Sequence, residues 1–367
     1  MTTSRLDPRV ASDRELALEM LRGAAKLIVV THEGPDGDAL GSLVAAQQLL
    51  TALGKDSVMF ISPGDFPLPY EYRFLPLDGL VTEAPGDLDE RTVVFLDCGN
   101  VERNPAAEVL YHGSGPTINI DHHHDNTRFA DVNHVDAGAS CTAEMVWDLM
   151  HDLEAGTPPG GPPVAATWPP QSPLLTLSIA EALYVGVITD TGCFMYENTG
   201  PRAHVMAADL IVAGVDVHNI YQRVYEGVPF GRLALLARGL ARVERFDDGT
   251  LTITQLSAQD YDEAGAEESY SEGVVDHLRA VRGTAMAALV RDRLAAAGEA
   301  AETDGGARLR KVSLRASDTR VDVSAIARAQ GGGGHRSAAG FTTTLPWEEL
   351  VTFLREQLAR QLAQDAA

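Results

Sequence analysis

Histidine and aspartate residues follow four apolar runs of the chain, and their types and spacing suit divalent-metal chemistry. Charged groups directly after buried runs are costly unless they are paired or bind a metal. Imidazoles and carboxylates without thiolate pairs suit Mn²⁺, or Mg²⁺ where carboxylates dominate. The side chains concerned are His32, Asp36 and Asp38 after the first run, Asp97 after the second, Asp121, His122 and His123 after the third, and Asp190 after the fourth.

Six or so convergent ligands are too many for one ion and suit a pair of ions. Two cations that share a carboxylate form the usual clamp for hydrolysis at phosphorus. Each motif alone has a simpler explanation, since Asp38 could be a helix N-cap and Asp97 and Asp190 could be turn residues. Their coincidence after four apolar runs favours the metal centre.

Alternating strands and helices in the N-terminal part predict a parallel α/β sheet flanked by helices. Strands are predicted over 26–30, 57–62, 92–100, 117–123 and 182–192. Ligands of such sheets bind at the carboxyl ends of the strands, where all these motifs would meet. A helix is predicted over 141–153, with Ser140, Thr142 and Glu144 as its capped start.

The domain organisation is predicted from the pattern of elements. The catalytic α/β domain would span 1–215, a helical linker 216–245, and a smaller C-terminal α/β domain 246–367. Residues 155–173 contain seven prolines and are predicted to form a surface loop inside the first domain.

The composition limits the class of protein and its partners. A net charge of -23 disfavours long duplex nucleic acid and anionic membranes. The chain has no run of 18 apolar residues, which argues against a transmembrane helix. Three cysteines without a CxxC pair predict a reducing, cytoplasmic location rather than a disulfide framework.

Five motifs of the chain carry a resemblance to a known family. The segments THEGPDGDALGS, VVFLDCGN, INIDHHHDN and VITDTGCF resemble, in order, the four motifs of the DHH phosphoesterase family. The segment GGGGHRSAAGF (331–341) resembles the glycine-rich motif of the DHHA1 domain. The arrangement is most similar to the bacterial nanoRNase/pAp phosphatase group, which implies an N-terminal DHH domain and a C-terminal DHHA1 domain.

The resemblance implies a role for each residue of the first domain. Two Mn²⁺ ions, or Mg²⁺ or Co²⁺, would be bound, with Asp97 bridging them. Asp121 would orient an imidazole, and His123 would contact the scissile phosphate or protonate the leaving oxygen. The first ion would be held by His32, Asp36 and Asp97, and the second by Asp38, Asp97, His122 and Asp190.

The glycine-rich run suggests an anion site in the second domain, because glycines let backbone N–H groups approach an anion closely. Between 308 and 336 the chain has seven cations and two anions, which favours a small anionic ligand. A solvated, charged strand face is the simpler alternative. The resemblance implies that a terminal phosphate or nucleotide is held by Arg315, Gly332, Gly333, Gly334 and His335.

The expected activity is hydrolysis of short oligonucleotides from an end and removal of the 3′-phosphate of pAp. A substrate held between two domains would be only a few nucleotides long, and a homodimer is expected from relatives. The alternatives are a cyclic di-AMP or pApA phosphodiesterase and a non-catalytic nucleotide-binding protein. A family II pyrophosphatase is disfavoured by the GGGGH motif, and a RecJ-like exonuclease by the chain length.

Overall fold

The computed structural model describes residues 7–101, 110–111, 113, 115–155, 172–294, 303–304, 307–334 and 336–364. The chain divides into two compact units, Met1–Gly227 and Val228–Ala367. None of the described helices combines the length and the apolar character that a membrane crossing requires.

The first unit is built on a parallel sheet, as predicted, with the strand order β3-β2-β1-β4-β5-β6. Its strands are β1 (Lys26–Val30), β2 (Asp56–Phe60), β3 (Leu80–Val81), β4 (Thr92–Leu96), β5 (Thr117–Asp121) and β6 (Val132–Val135). Its described helices are α1 (Pro8–Gly23), α2 (Gly37–Ala52), α3 (Thr142–Ala155), α4 (Leu177–Asp190), α5 (Pro201–Val212) and α6 (Val217–Tyr225).

The order of the strands places β1 next to β4, although two strands separate them in the sequence. The strand order reverses its direction there, and in open α/β sheets ligands bind outside the carboxyl ends of the strands at such a point. The loop after β1 carries His32 and Asp36, the first turn of α2 carries Asp38, and Asp97 follows β4 directly. The topology therefore brings two of the predicted motifs side by side.

The predicted strand over 182–192 is wrong, because residues 182–190 belong to helix α4 and Thr191 is its C-cap. Burial on all sides removes the helical periodicity, and the valine and isoleucine content imitates a strand. Thr176 caps the helix, since its side chain accepts a hydrogen bond from the Ile179 N–H. A Cβ on Gly41 of α2 would lie 2.4 Å from the Ala182 carbonyl oxygen, so the two helices pack nearly backbone to backbone.

Other differences from the predicted elements are smaller. The strands predicted over 57–62, 92–100 and 117–123 end earlier than expected, and the polar residues that follow them form the loops of the site. The strands β3 and β6 were not predicted because each is short and only partly buried. Of the predicted loop over 155–173, residues 156–171 lie outside the described residues.

The second unit contains a mixed sheet with the order β13-β14-β12-β9-β8-β7 and the short β10-β11 pair. Its strands are β7 (Glu244–Phe246), β8 (Leu251–Leu256), β9 (Met286–Asp292), β10 (Thr303–Asp304), β11 (Ala307–Arg308), β12 (Arg310–Ala316), β13 (Gly333–Gly334) and β14 (Ala338–Thr343). Its helices are α7 (Phe230–Ala241), α8 (Ala258–Ala264), α9 (Val274–Arg279), α10 (Val323–Arg328) and α11 (Trp347–Gln364). Apolar clusters cover both faces of the sheet.

His134 on β6 makes the stability of the first unit sensitive to acid. Burial, followed by the charges of Arg14 and Arg128, lowers the pKa of His134 to about 3. The unfolded chain therefore binds a proton below about pH 6.5 that the folded chain does not, and stability falls as the pH decreases from there towards 3. We expect this histidine to remove about 2–3 kcal/mol of unfolding free energy between pH 6.5 and 4.5.

The contribution of His134 is measured by comparing His134→Gln with the unmodified chain. Urea unfolding at pH 7 and pH 4.5 should show a smaller acid-induced loss of stability in the variant, by about 2–3 kcal/mol. An equal loss in both proteins would contradict the assignment.

Candidate metal centre

The loop between β1 and α2, together with the first turn of α2, delivers three of the predicted ligands. The His32 Nδ1–H donates to the Glu33 carbonyl oxygen at 2.9 Å, which directs Nε2 towards Asp97 Oδ2, 3.4 Å away. Asp36, and not Asp38, is the N-cap of α2, since its side chain accepts from the backbone N–H groups of Asp38 and Ala39. The N-cap leaves Asp38 in the first turn of the helix, buried beneath the loop.

Asp97 lies at the centre of the cluster. Its Oδ1 is 3.6 Å from His122 Nε2 and 3.5 Å from His123 Nδ1, while its Oδ2 faces His32. The residue has a φ of 58°, in the left-handed region that residues other than glycine adopt at a cost of about 1–2 kcal/mol. Such strain persists where the surroundings impose it, and it is common at functional sites.

Asp38 is held by the N-terminus of α3, which comes from a distant part of the chain. Its Oδ2 accepts from the Thr142 N–H at 2.7 Å and its Oδ1 from the Ala143 N–H at 2.9 Å. The positive end of the helix dipole favours a negative charge at this position. The helix predicted at 141–153 therefore supports the site as well as the core.

Asp190 reaches the cluster from the carboxyl end of α4 instead of from a strand. Its Oδ2 lies 3.7 Å from His122 Nε2. The Asn198 side chain donates to the same carboxylate oxygen at 2.9 Å and also to the Ser140 carbonyl oxygen at 2.8 Å. Asn198 thus fixes Asp190 relative to the segment that begins α3.

His123 and Asp121 form a hydrogen-bonded pair beside these groups. His123 Nδ1 lies 2.7 Å from Asp121 Oδ1, and the Asn126 side chain donates to Asp121 Oδ2 at 2.5 Å. Asp121 is completely buried, so its carboxylate interacts with the side chains around it and not with solvent. The imidazole that Asp121 orients is therefore that of His123.

The charged groups of the cluster shift one another's pKa values. Burial, followed by the carboxylates of Asp97 and Asp190, raises the pKa of Asp38 well above its usual range. Burial alone would raise the pKa of Asp97, but the imidazoles of His32 and His123 hold it well below its usual value. Burial alone would lower the pKa of His123, but Asp121 and Asp97 raise it to about 10. The carboxylates of Asp38, Asp97 and Asp190 repel one another, and bound cations would relieve that repulsion.

The donor atoms suit a divalent metal. Possible ligand atoms lie within 4.8 Å of one another in three groups: His32, Asp36 and Asp97; Asp38, His122 and Asp190; and Asp97, His122 and His123. The first two groups contain all six predicted metal ligands. Burial raises the pKa of the neighbouring Cys98 thiol to about 12, which disfavours a thiolate ligand there. Nitrogen and oxygen donors without thiolates suit Mn²⁺ or Mg²⁺ better than a structural zinc.

The predicted anion site lies on the sheet of the second unit. Arg315 on β12 and the glycines of β13 both flank β14. A Cβ on Gly332 would lie 2.2 Å from the Gly340 carbonyl oxygen, and Gly334 has a φ of 133°, so the fold itself requires glycine at these positions. His335 lies outside the described residues.

The basic stretch 308–336 is partly neutralised by its own neighbours. Arg315 Nε lies 3.5 Å from Asp276 Oδ1, and Arg308 and Arg320 pair with Asp292 and Asp318. An anionic ligand at Arg315 would therefore share this guanidinium with Asp276. The local charge is smaller than the count of basic residues suggested.

Several side chains that contact the cluster were not predicted to do so, among them those of Thr142, Asn126 and Asn198. Thr142 contacts Asp97, Asn126 contacts Asp121, and Asn198 contacts Asp190. The sequence assigned Thr142 only to a helix start. Asn126 and Asn198 follow the motif aspartates by five and eight residues. This short separation is the local signal that could have predicted the contacts, but polar residues at such distances are too common for it to be specific.

Comparisons with known proteins agree with the fold and with the motifs. The model of the DHH family, N-terminal domain, matches residues 26–187, and that of the DHHA1 domain matches residues 249–364. The chain is 32% identical to the bifunctional oligoribonuclease and PAP phosphatase NrnA of Thermus thermophilus, over 96% of this chain and 97% of that protein. The Bacillus subtilis protein of the same name is 22% identical over 90% of this chain and 93% of its own.

Solved structures show the same fold at lower identity. An exopolyphosphatase-related protein from Bacteroides fragilis superposes with a TM-score of 0.79 at 20% identity, over 95% of this chain and 96% of that one. RecJ from Thermus thermophilus in complex with Mn²⁺ has a TM-score of 0.53 at 16% identity, over 98% of this chain and 56% of its own. With both domain models matched and a relative at 32% identity over nearly its full length, the chain belongs to the DHH family and carries a C-terminal DHHA1 domain.

Proposed function

We propose that the chain is a Mn²⁺-dependent phosphoesterase that hydrolyses short oligonucleotides from an end and removes the 3′-phosphate of pAp. The observation that carries the proposal is the convergence of six histidine and aspartate ligands at one edge of the parallel sheet. The relative that is 32% identical over nearly its full length is named for these two activities. A loss of ligands would favour a non-catalytic nucleotide-binding protein, and all six are present.

We assign His32, Asp36 and Asp97 to one cation, and Asp38, Asp97, His122 and Asp190 to the other. When bound, such a pair of ions supplies Lewis acidity to the phosphate and lowers the pKa of a water that attacks phosphorus. The chain contributes the fixed positions of the carboxylates. The N–H groups of α3 hold Asp38, and Asn198 holds Asp190, so neither has to move when a cation binds.

We assign His123 to the substrate phosphate. Its Nδ1 faces Asp121, so Nε2 would be the atom that contacts the phosphate or the leaving oxygen. The carboxylate of Asp121 favours the protonated imidazole, which can donate a hydrogen bond to an anion. Asn126 keeps Asp121 in place for this purpose.

The second unit would bind a terminal group of a substrate. We assign a terminal phosphate or nucleotide to Arg315, to the backbone around Gly332, Gly333 and Gly334, and to His335. Backbone N–H groups of this run would approach the anion, and Arg315 would supply the charge. The predicted domain limits of 1–215, 216–245 and 246–367 remain part of this proposal.

We also propose that the protein is a cytoplasmic homodimer. All three cysteines are free, as thiols are in a reducing compartment. A second copy would cover apolar side chains that α5 and α6 leave exposed, which are Val205, Ile211, Val212, Val217 and Tyr221.

The substrate assignment is tested with four substrates in parallel in Mn²⁺: an RNA trimer, an RNA 24-mer, pAp and cyclic di-AMP. We expect the trimer and pAp to be hydrolysed, with the 24-mer at least about tenfold slower than the trimer because the net charge of -23 opposes binding of a long polyanion. Preferred cleavage of cyclic di-AMP would favour the signalling phosphodiesterase instead. Inactivity on all four substrates, with metal bound, would show that the substrate class is wrong.

A further inference from the structure

Thr142, the first residue of α3, contacts two candidate metal residues from two other elements. Its hydroxyl lies 2.9 Å from Asp97 Oδ1, and its backbone N–H donates to Asp38 Oδ2 at 2.7 Å. The side chain is completely buried. An ionised carboxylate can only accept, so the hydroxyl is the donor to Asp97.

The hydroxyl determines how the carboxylate of Asp97 is rotated. One oxygen of this carboxylate faces His32 and the other faces His122, at 3.4 and 3.6 Å. Rotation about the Cβ–Cγ bond would move both oxygens away from their groups at once. A hydrogen bond to Oδ1 opposes this rotation, and Thr142 Oγ1 supplies it from a rigid helix start.

The two contacts of Thr142 are separable by mutation. The bond to Asp38 comes from the backbone and survives a change of side chain, whereas the bond to Asp97 comes from the hydroxyl alone. The start of α3 also has a polar contact of its own, because the Ser140 N–H donates to Glu144 Oε2 at 3.2 Å. Helix capping therefore does not account for the Thr142 hydroxyl.

We propose that Thr142 is a positioning residue that orients Asp97 for both metal sites together. The inference rests on the proposed two-metal function and adds a determinant of whether both ions can be held. Hydrogen-bond partners of metal ligands typically change metal affinity by 10–100-fold when they are removed. Loss of this hydroxyl should weaken both sites, since Asp97 belongs to both.

The test is a calorimetric titration of the full-length, chelator-treated chain with MnCl₂. Thr142→Val removes the hydroxyl at nearly constant shape, and we expect both Mn²⁺ affinities to fall about tenfold or more. Thr142→Ser restores a hydroxyl and should bind within about threefold of the unmodified chain. Asn198→Ala is the matched control, because Asp190 is the one assigned metal ligand that Asn198 contacts, so this variant should weaken one of the two sites.

Kinetics with the RNA trimer provide a second readout. At a fixed, subsaturating Mn²⁺ concentration, Thr142→Val should lower kcat about tenfold or more and leave KM nearly unchanged, because Thr142 is assigned no substrate contact. Thermal unfolding in chelator checks that the variant is folded, and Thr142→Ala replaces it if valine is not tolerated.

The outcomes separate the inference from the proposed function. Unchanged Mn²⁺ affinities in both Thr142→Val and Thr142→Ala would overturn the inference while leaving the two-metal centre in place. Equal impairment in Thr142→Ser and Thr142→Val would also overturn it, because the hydroxyl would then not be the cause. If the unmodified chain binds fewer than two Mn²⁺ ions, the two-metal proposal is wrong and the inference falls with it.

Discussion

Replacement of Asp97 by asparagine should lower hydrolysis of the trimer and of pAp by at least about 1,000-fold. Asp97 is assigned to both cations, and it belongs to two of the groups of possible ligand atoms, one with His32 and one with His122, so its charge would serve both cations. Each factor of ten in rate corresponds to about 1.4 kcal/mol, and a lost metal site removes several kcal/mol of transition-state stabilisation. Asparagine keeps the shape and one acceptor oxygen for Thr142, but it removes the negative charge and replaces the other oxygen with an NH2 group that cannot ligate a cation.

The measurement is kcat/KM for both substrates together with Mn²⁺ binding by calorimetry. Asp125→Asn is the matched control, because Asp125 lies in the same segment as His123 but is exposed and has no assigned role. It should change kcat/KM by less than about twofold. Activity of Asp97→Asn within tenfold of the unmodified chain would exclude a bridging role for Asp97.

Replacement of Gly41 by alanine should destabilise the first unit by about 3 kcal/mol. The added Cβ would lie 2.4 Å from the Ala182 carbonyl oxygen and 3.0 Å from the Gly186 nitrogen. Both are backbone atoms of α4, so no side chain can move aside and the helices must separate. Overpacking of this kind typically costs about 1–3 kcal/mol, and the rigid contact places Gly41 at the upper end of that range.

Urea unfolding of the full-length chain measures the effect, and Gly23→Ala serves as the control. A Cβ on Gly23 would meet nothing within 4 Å, so this variant should change the free energy of unfolding by less than about 0.5 kcal/mol. A Gly41→Ala variant as stable as the Gly23→Ala control would mean that α2 and α4 do not pack as closely as the structure has them.

The sequence predicted the parallel sheet and the residues of the cluster because both depend on local patterns. The strands β1, β4 and β5 are short and mainly apolar, and a motif aspartate or histidine lies at the end of each strand or within two residues of it. In contrast, α4 was predicted as a strand, since a helix buried on all sides has no polar face to reveal its period. The prediction that Asp190 belongs to the cluster did not depend on this error, because the motif marks the end of the element in either case.

The supporting contacts could not be predicted because they join segments that are far apart in the chain. Thr142 meets Asp38 across 104 residues, and Asn198 meets Ser140 across 58. A threonine near a helix start has a sufficient local explanation, so nothing in its neighbourhood points to Asp97. Likewise, the glycine-rich run was predicted to be an anion site. The structure shows a further reason for glycine there, because β14 packs too closely to leave room for a side chain.

The spacing of the cluster along the chain has a consequence for how the protein folds. His32 and Asp190 belong to neighbouring groups of ligands, yet more than 150 residues separate them in the sequence. Contacts this distant form only after the entropy of closing a long loop has been overcome, so they form late. A partly folded first unit would therefore lack the complete centre, and tight Mn²⁺ binding would report that the whole unit has folded. By mass action, the same ions would then stabilise the folded chain against unfolding, and the melting temperature would rise with Mn²⁺ concentration.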